Sequence, residues 1–115
     1  MRRMYGRYDV TIKGTWSRGD TERLDFTNYR RIIKTKASLE FGAELSARLV
    51  EVRPNGTASG TFTFKVPLYS SNNAASVAAG LLAAVAGSVT CRSPLFEVQR
   101  VIVGRYHPGD QQVAI

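Results

Sequence analysis

At 115 residues the chain has room for one domain with one hydrophobic core and too little for two. Apolar residues make up 43% of it, which excludes a disordered chain, and sixteen Lys and Arg against nine Asp and Glu give a net charge of +7. That excess favours a polyanionic partner (RNA, DNA or an anionic membrane), and the single Cys91 excludes an intramolecular disulfide and a cysteine-based zinc site. Cys91 leaves pairing with a second copy of the chain open, although a buried, inert thiol is the commoner role. Met1-Arg2-Arg3-Met4 runs into alternating sequence with no apolar signal region. The apolar stretch Ala74–Val89 is shorter than the ~20 residues a membrane span needs, and Ser76, Gly80, Gly87 and Ser88 interrupt it. A soluble protein is expected.

From Tyr5 to Trp16 apolar and polar residues alternate. Tyr8, Val10, Ile12 and Trp16 share one face; Arg7, Asp9, Thr11, Lys13 and Thr15 share the other. Period two with β-branched and aromatic residues predicts a strand that covers a core on one side. Ser17-Arg18-Gly19-Asp20 supplies turn chemistry, and Leu24 and Phe26 read as the returning arm of a hairpin. The Arg18-Gly19-Asp20 triplet is explained by that turn and needs no integrin-binding role.

A third strand is predicted from Tyr29 to Phe41, with Ile33, Thr35, Ala37, Leu39 and Phe41 opposite Arg30, Lys34, Lys36, Ser38 and Glu40. Gly42 breaks it, and Ala43–Arg53 resumes with Leu45, Ala47 and Leu49 inward and Glu44, Ser46 and Arg48 outward. The phase then slips to Val50 and Val52, which predicts a β-bulge near Leu49-Val50. Pro54-Asn55-Gly56 is a turn. The last strand, Gly60–Leu68, sets Phe62, Phe64, Val66 and Leu68 against Thr61, Thr63 and Lys65, with Pro67 marking an edge or a termination.

The period then changes. Asn72 or Asn73 caps a predicted helix over residues 73–88, with Val77, Leu81, Leu82 and Val85 on one stripe and almost no charge elsewhere. Such a helix is either buried or covered by another subunit. Ser93 as N-cap and Pro94 at the first helical position predict a second helix over 94–104, with Leu95, Val98, Val101 and Ile102 inward. Residues 105–115 form a tail with little pattern. The chain is thus read as a single α+β domain over 1–115: an N-terminal hairpin and antiparallel meander sheet (strands about 5–69), then two C-terminal helices.

Catalytic chemistry finds little to work with. His107 is the only histidine, so neither a triad nor a histidine metal site has a second member, and no glycine loop that could cradle phosphate precedes a helix. No enzyme activity, metal, cofactor or small-molecule substrate is expected. The positive signal is the polar sheet face, where Lys34, Lys36, Ser38, Ser46, Arg48, Thr61, Thr63 and Lys65 each fall on the outer side of a predicted strand. Cations there would neutralise phosphates while hydroxyls donate to phosphate oxygens or base edges. An ordinary solvated face would look similar, and Glu40 and Glu44 share it.

This layout resembles the coat proteins of single-stranded RNA phages. The stretch Phe62-Thr63-Phe64-Lys65-Val66-Pro67-Leu68, leading through Ser and Asn into an Ala-Leu helix, carries the resemblance, together with Pro94-Leu95-Phe96 and a short tail. The resemblance implies an intertwined homodimer in which sheets join edge to edge and each subunit's helices clasp the other. Val77, Leu81, Leu82, Val85, Leu95, Val98 and Ile102 would then form the dimer interface. It implies assembly into an icosahedral shell in the virion, formed in the host cytoplasm, with genomic RNA on the inward sheet face at Lys34, Lys36, Ser46, Arg48, Thr61, Thr63 and Lys65. Translational repression through an RNA hairpin would follow, with Tyr29 or Tyr69 as the residue available to stack on an unpaired base. The alternatives are a cellular dimeric nucleic-acid-binding module that never assembles, and an interaction protein whose charge is incidental.

Overall fold

The computed structural model describes the backbone of residues 2–19, 21–42, 44–70, 73–90 and 94–114, and of these the side chains outside 2–5 and 109–114. The expectations for Cys91, Ser93 and Asp20 therefore fall outside the described residues. The elements in chain order are β1 (Arg2–Ser17), α1 (Phe26–Phe41), β2 (Arg48–Asn55), β3 (Ser59–Ser70), α2 (Ala74–Val85), β4 (Ser88–Thr90) and β5 (Leu95–Ala114). The five strands form one sheet in the order β2-β3-β1-β5-β4, with every neighbouring pair antiparallel. The strands flanking α1, β1 and β2, have β3 between them; β3 and β5, on either side of α2 and β4, have β1 between them. This is the split βαβ arrangement, with β4 added at one edge. The α+β class, the antiparallel sheet and a total of two helices agree with the expectation from sequence, but the N-terminal hairpin does not form. Leu24 lies in a loop, Phe26 opens α1, and β1 pairs with β3 and β5, so the sheet is not a meander.

Two segments exchange roles. Residues 29–41, expected as a strand, are most of α1. Asp25 caps that helix by accepting from the Asn28 amide (3.1 Å), and Gly42 closes it in the left-handed conformation (φ 64°). The misreading has a simple cause. Ile33, Ala37 and Phe41 recur every four residues, a spacing that satisfies both a period of two and one turn of helix. Thr35 and Leu39 separate the cases: a strand would bury them with Ile33, whereas both are exposed, Leu39 at 78%. Tyr29, Ile33 and Ala37 face the core instead.

The converse holds for residues 94–104. These belong to β5, in which Phe96, Val98, Val101 and Val103 lie opposite Trp16, Gly14, Ile12 and Val10 of β1. The three-residue step from Val98 to Val101 mimics a helical turn because Gln99 is an extra residue where the register shifts. The tail also continues as strand, so β5 matches the 16 residues of β1 with 20 of its own, the excess taken up at three register shifts. The bulge expected near Leu49-Val50 is present between Leu49 and Glu51, and the turn at Asn55-Gly56 joins β2 to β3, with Gly56 at φ 76°.

Both helices cover one face of the sheet. Val10 and Ile12 of β1, Phe62, Phe64, Val66 and Leu68 of β3, and Phe96 of β5 meet Tyr29 and Ile33 of α1 and Val77, Leu81 and Val85 of α2, each 1% exposed or less. The Tyr29 ring stacks on Phe96 at 4.4 Å and 12°, with Phe62, Phe64 and Phe26 edge-on or tilted around the pair. Backbone and ring approach closely at Gly14, where a Cβ would lie 2.2 Å from the Glu97 carbonyl oxygen and 2.4 Å from the Phe62 ring. The segment joining α1 to β2 is pinned by Ser38 Oγ, which accepts from the Leu45 amide, and by Arg30, which donates to the Ala47 carbonyl.

Candidate nucleic-acid interface

The alternation that buries one face of β1 and β3 turns the intervening residues onto the other, which no helix covers. On β1 these are Arg7, Asp9, Thr11, Lys13 and Thr15; on β3 they are Thr61, Thr63, Lys65, Pro67 and Tyr69. The uninterrupted β1–β3 register sets Thr11 beside Lys65, Lys13 beside Thr63, and Thr15 beside Thr61. β2 adds Arg48 beside Lys65, Glu51 beside Thr63 and Arg53 beside Thr61. β5 adds Arg100 beside Lys13, Ile102 beside Thr11 and Glu97 beside Thr15. The centre of this face is thus a chequerboard of cations and hydroxyls.

The carboxylates on the face are largely engaged. Asp9 lies 3.4 Å from Arg7 Nε and 2.9 Å from His107 Nε2. The hydrogen bond with His107 holds its carboxyl below the ordinary carboxylate range against an opposing desolvation, and the charges of His107, Arg7 and Lys65 add to the lowering. Glu51 pairs with Arg53 at 3.2 Å and Glu97 accepts from Ser88 and Gln99. Among the described residues, Lys13, Arg48, Lys65 and Arg100 have no carboxylate within ion-pairing distance.

Of the seven residues expected to meet RNA, four (Arg48, Thr61, Thr63 and Lys65) lie together on this face. Ser46 lies at its margin, sharing a depression with Asp9, Arg48, Lys65 and Pro67. Lys34 and Lys36 do not belong to the sheet, because their segment is α1; Lys34 instead pairs with Glu44 at 3.7 Å. Glu40, set against the functional reading of the face, is on α1 as well. Arg7, Thr11, Lys13 and Thr15 were marked by the alternation but not singled out, since the sequence does not reveal that β1 is the central strand. Arg100 and Ile102 were missed with the strand that carries them. Of the two tyrosines considered for stacking, Tyr29 is wholly buried and Tyr69 is 40% exposed on the open face.

The residues expected at a dimer interface divide differently. Val77, Leu81, Val85 and Val98 are buried inside the chain's own core. The inward stripe of α2 is thus used within one subunit, while its uncharged outward residues Ala74, Ala75, Ala79, Leu82 and Ala83 stay exposed. Leu82 and Leu95 remain 39% and 38% exposed, and Ile102 sits half-buried among the polar residues of the open face. Arg18 is used internally, its guanidinium donating to the carbonyls of Thr57 and Glu22 while lying 6.0 Å from the Trp16 ring. Among the described residues no group of three or more His, Cys, Asp or Glu is placed to hold a metal ion, and no helix is long and apolar enough to cross a membrane.

Comparison with protein-family models, with curated proteins and with solved structures gives no significant match.

Proposed function

We propose that the protein binds single-stranded nucleic acid, with RNA as the preferred partner, on the open face of its sheet. The observation that carries this reading is the cluster of Lys13, Arg48, Lys65 and Arg100 interleaved with Thr11, Thr61 and Thr63 on the one sheet face the helices leave uncovered. Unpaired cations attract phosphates by releasing counterions, and hydroxyls beside them donate to phosphate oxygens or base edges. A duplex groove is entered by a protruding helix or ribbon, and both helices lie on the covered side; an open sheet suits a strand whose bases are splayed.

Fluorescence anisotropy of a labelled single-stranded RNA 16-mer tests the reading. Affinity is expected to fall with salt, with a slope of about 0.7 per phosphate neutralised. Lys13→Glu with Lys65→Glu should weaken binding at least about tenfold while the melting temperature stays unchanged. Binding that ignores both salt and this double substitution would sink the proposal.

A second reading places the same face inside a coat, the protein forming dimers and then a shell around single-stranded RNA. It draws support from Leu82 and Leu95, exposed apolar residues available to another copy, and from β5, which β4 pairs only over Leu95–Glu97. Electron microscopy of the purified protein separates the two: uniform closed particles select the coat, and a small soluble species selects the module that does not assemble.

A further inference from the structure

The open face does not end at the strand edge. β2 pairs with β3 only as far as Lys65, so the end of β3 from Val66 to Ser70 runs on past β2 and leaves a notch in that side of the sheet. Through the notch passes a series of shallow depressions that share walls. The first, at the centre of the face, is lined by Thr11, Lys13, Thr63 and Lys65. Lys65 also lines the next, with Ser46, Arg48 and Pro67. Ser46 and Pro67 in turn line a third with Tyr69, Lys34 and Glu44. Lys34 and Glu44 finally line a fourth on the outer surface of α1, with Arg31, Thr35 and Leu39.

We infer that these depressions form one continuous track for a single strand, leading from the sheet centre past Tyr69 and around the edge onto Arg31 and Lys34 of α1. The inference rests on the proposed binding function and extends it by naming the path. Cations outnumber carboxylates in three of the four depressions, with Lys13 and Lys65 against Glu51, Arg48 and Lys65 against Asp9, and Arg31 and Lys34 against Glu44; at the bend Lys34 and Glu44 balance. The bend also selects the ligand. A strand following the track turns from one layer of the molecule to the other over roughly one helix diameter, ~10–12 Å. A duplex with a persistence length of about 50 nm does not follow such a turn, whereas a single strand does. Tyr69, exposed at the bend, offers its ring to a base that the turn unstacks. Glu44 is the counter-ion that Lys34 gives up when a phosphate arrives.

The track makes binding length-dependent in a way the sheet alone does not. The experiment compares labelled oligouridylates of 5 and 15 nucleotides, and a 15-base-pair duplex, against the wild type, Arg31→Ala/Lys34→Ala and Glu44→Gln. The wild type is expected to bind the long strand more tightly than the short one and than the duplex. Arg31→Ala/Lys34→Ala should remove most of that gain and make the long strand's salt slope shallower by about 1.4, for two phosphates at about 0.7 each, while leaving the short strand unaffected. Glu44→Gln should strengthen the long strand alone, which guards against a double variant that merely perturbs α1. If the long strand binds the α1 double variant as it binds the wild type, or the duplex outcompetes it, the track is wrong and the sheet-face reading survives. If no oligonucleotide binds the wild type, both fall.

Discussion

Adjacent residues of β1 do opposite work. Val10 and Ile12 are at most 1% exposed beneath the helices, while Thr11 and Lys13, each one residue away, face the uncovered side of the same strand. β3 repeats the contrast with Phe62 and Phe64 against Thr63 and Lys65. The covered face pays for the fold through area removed from water and close packing, so its residues tolerate little change. The open face contributes little to stability, and its composition is therefore free to serve a partner. The two faces should consequently separate in experiment, one governing folding and the other binding.

The largest effect should come from the covered face. Phe64 is fully buried and touches the rings of Phe26, Tyr29 and Phe62. Phe64→Ala is expected to destabilise the protein by about 3–5 kcal/mol in denaturant unfolding. RNA affinity of the fraction that remains folded should be unchanged, since Phe64 points away from the open face. A loss of affinity larger than the loss of folded protein would break the separation of the two faces.

A smaller effect is expected at Gly14. Its missing side chain lets Phe62 lie against the strand, and a methyl group there would meet both that ring and the Glu97 carbonyl. The ring can shift but the β5 backbone resists, so Gly14→Ala should cost about 1–3 kcal/mol as overpacking. Gly19→Ala, where only the flexible Glu22 side chain approaches within 3.2 Å, serves as the control and should cost far less.

The sequence disclosed these faces unevenly. β1 and β3 were plain because strict alternation over a dozen residues has no helical interpretation, and the turn at Asn55-Gly56 was signalled by its residues. α1 was hidden because its inward residues Ile33, Ala37 and Phe41 are four apart, which fits both periods. The cap residues fit both readings as well: Gly42 suits a strand break and a left-handed helix terminus alike, and it is the latter, with Asp25 the N-cap. β5 was hidden by its bulge at Gln99, which converts a two-residue repeat into an apparent helical step, and by Pro94, whose place before a strand looks like one before a helix. Of the open face, the residues of β2 and β3 could be read from local pattern. That β1 lies between β3 and β5, and so brings Lys13 between Thr63 and Arg100, is long-range pairing and leaves no local mark.

The smallest effect sharpens the contrast from the open side. Asp9 is an exposed carboxylate held by His107 and Arg7, and its pKa lies below the ordinary value because those partners favour the charged form. The sign follows from linkage. The unfolded chain takes up the proton at a higher pH than the folded one, so the ionised Asp9 adds its stability above the ordinary carboxylate pKa, and that increment disappears as pH falls through the folded value. Asp9→Asn never has the increment. The wild type should therefore melt slightly above the variant near pH 7, and the gap should close below about pH 4. A gap that widened in acid would show that Asp9 is held in its neutral form instead. The same substitution should tighten RNA binding at pH 7, since it removes a negative charge beside Lys65. Stability and affinity would then move in opposite directions from a single residue, which a carboxylate can do only on a wet face. The equivalent change one residue on, Val10→Asp, would place an unpaired charge in the core and is expected to prevent folding.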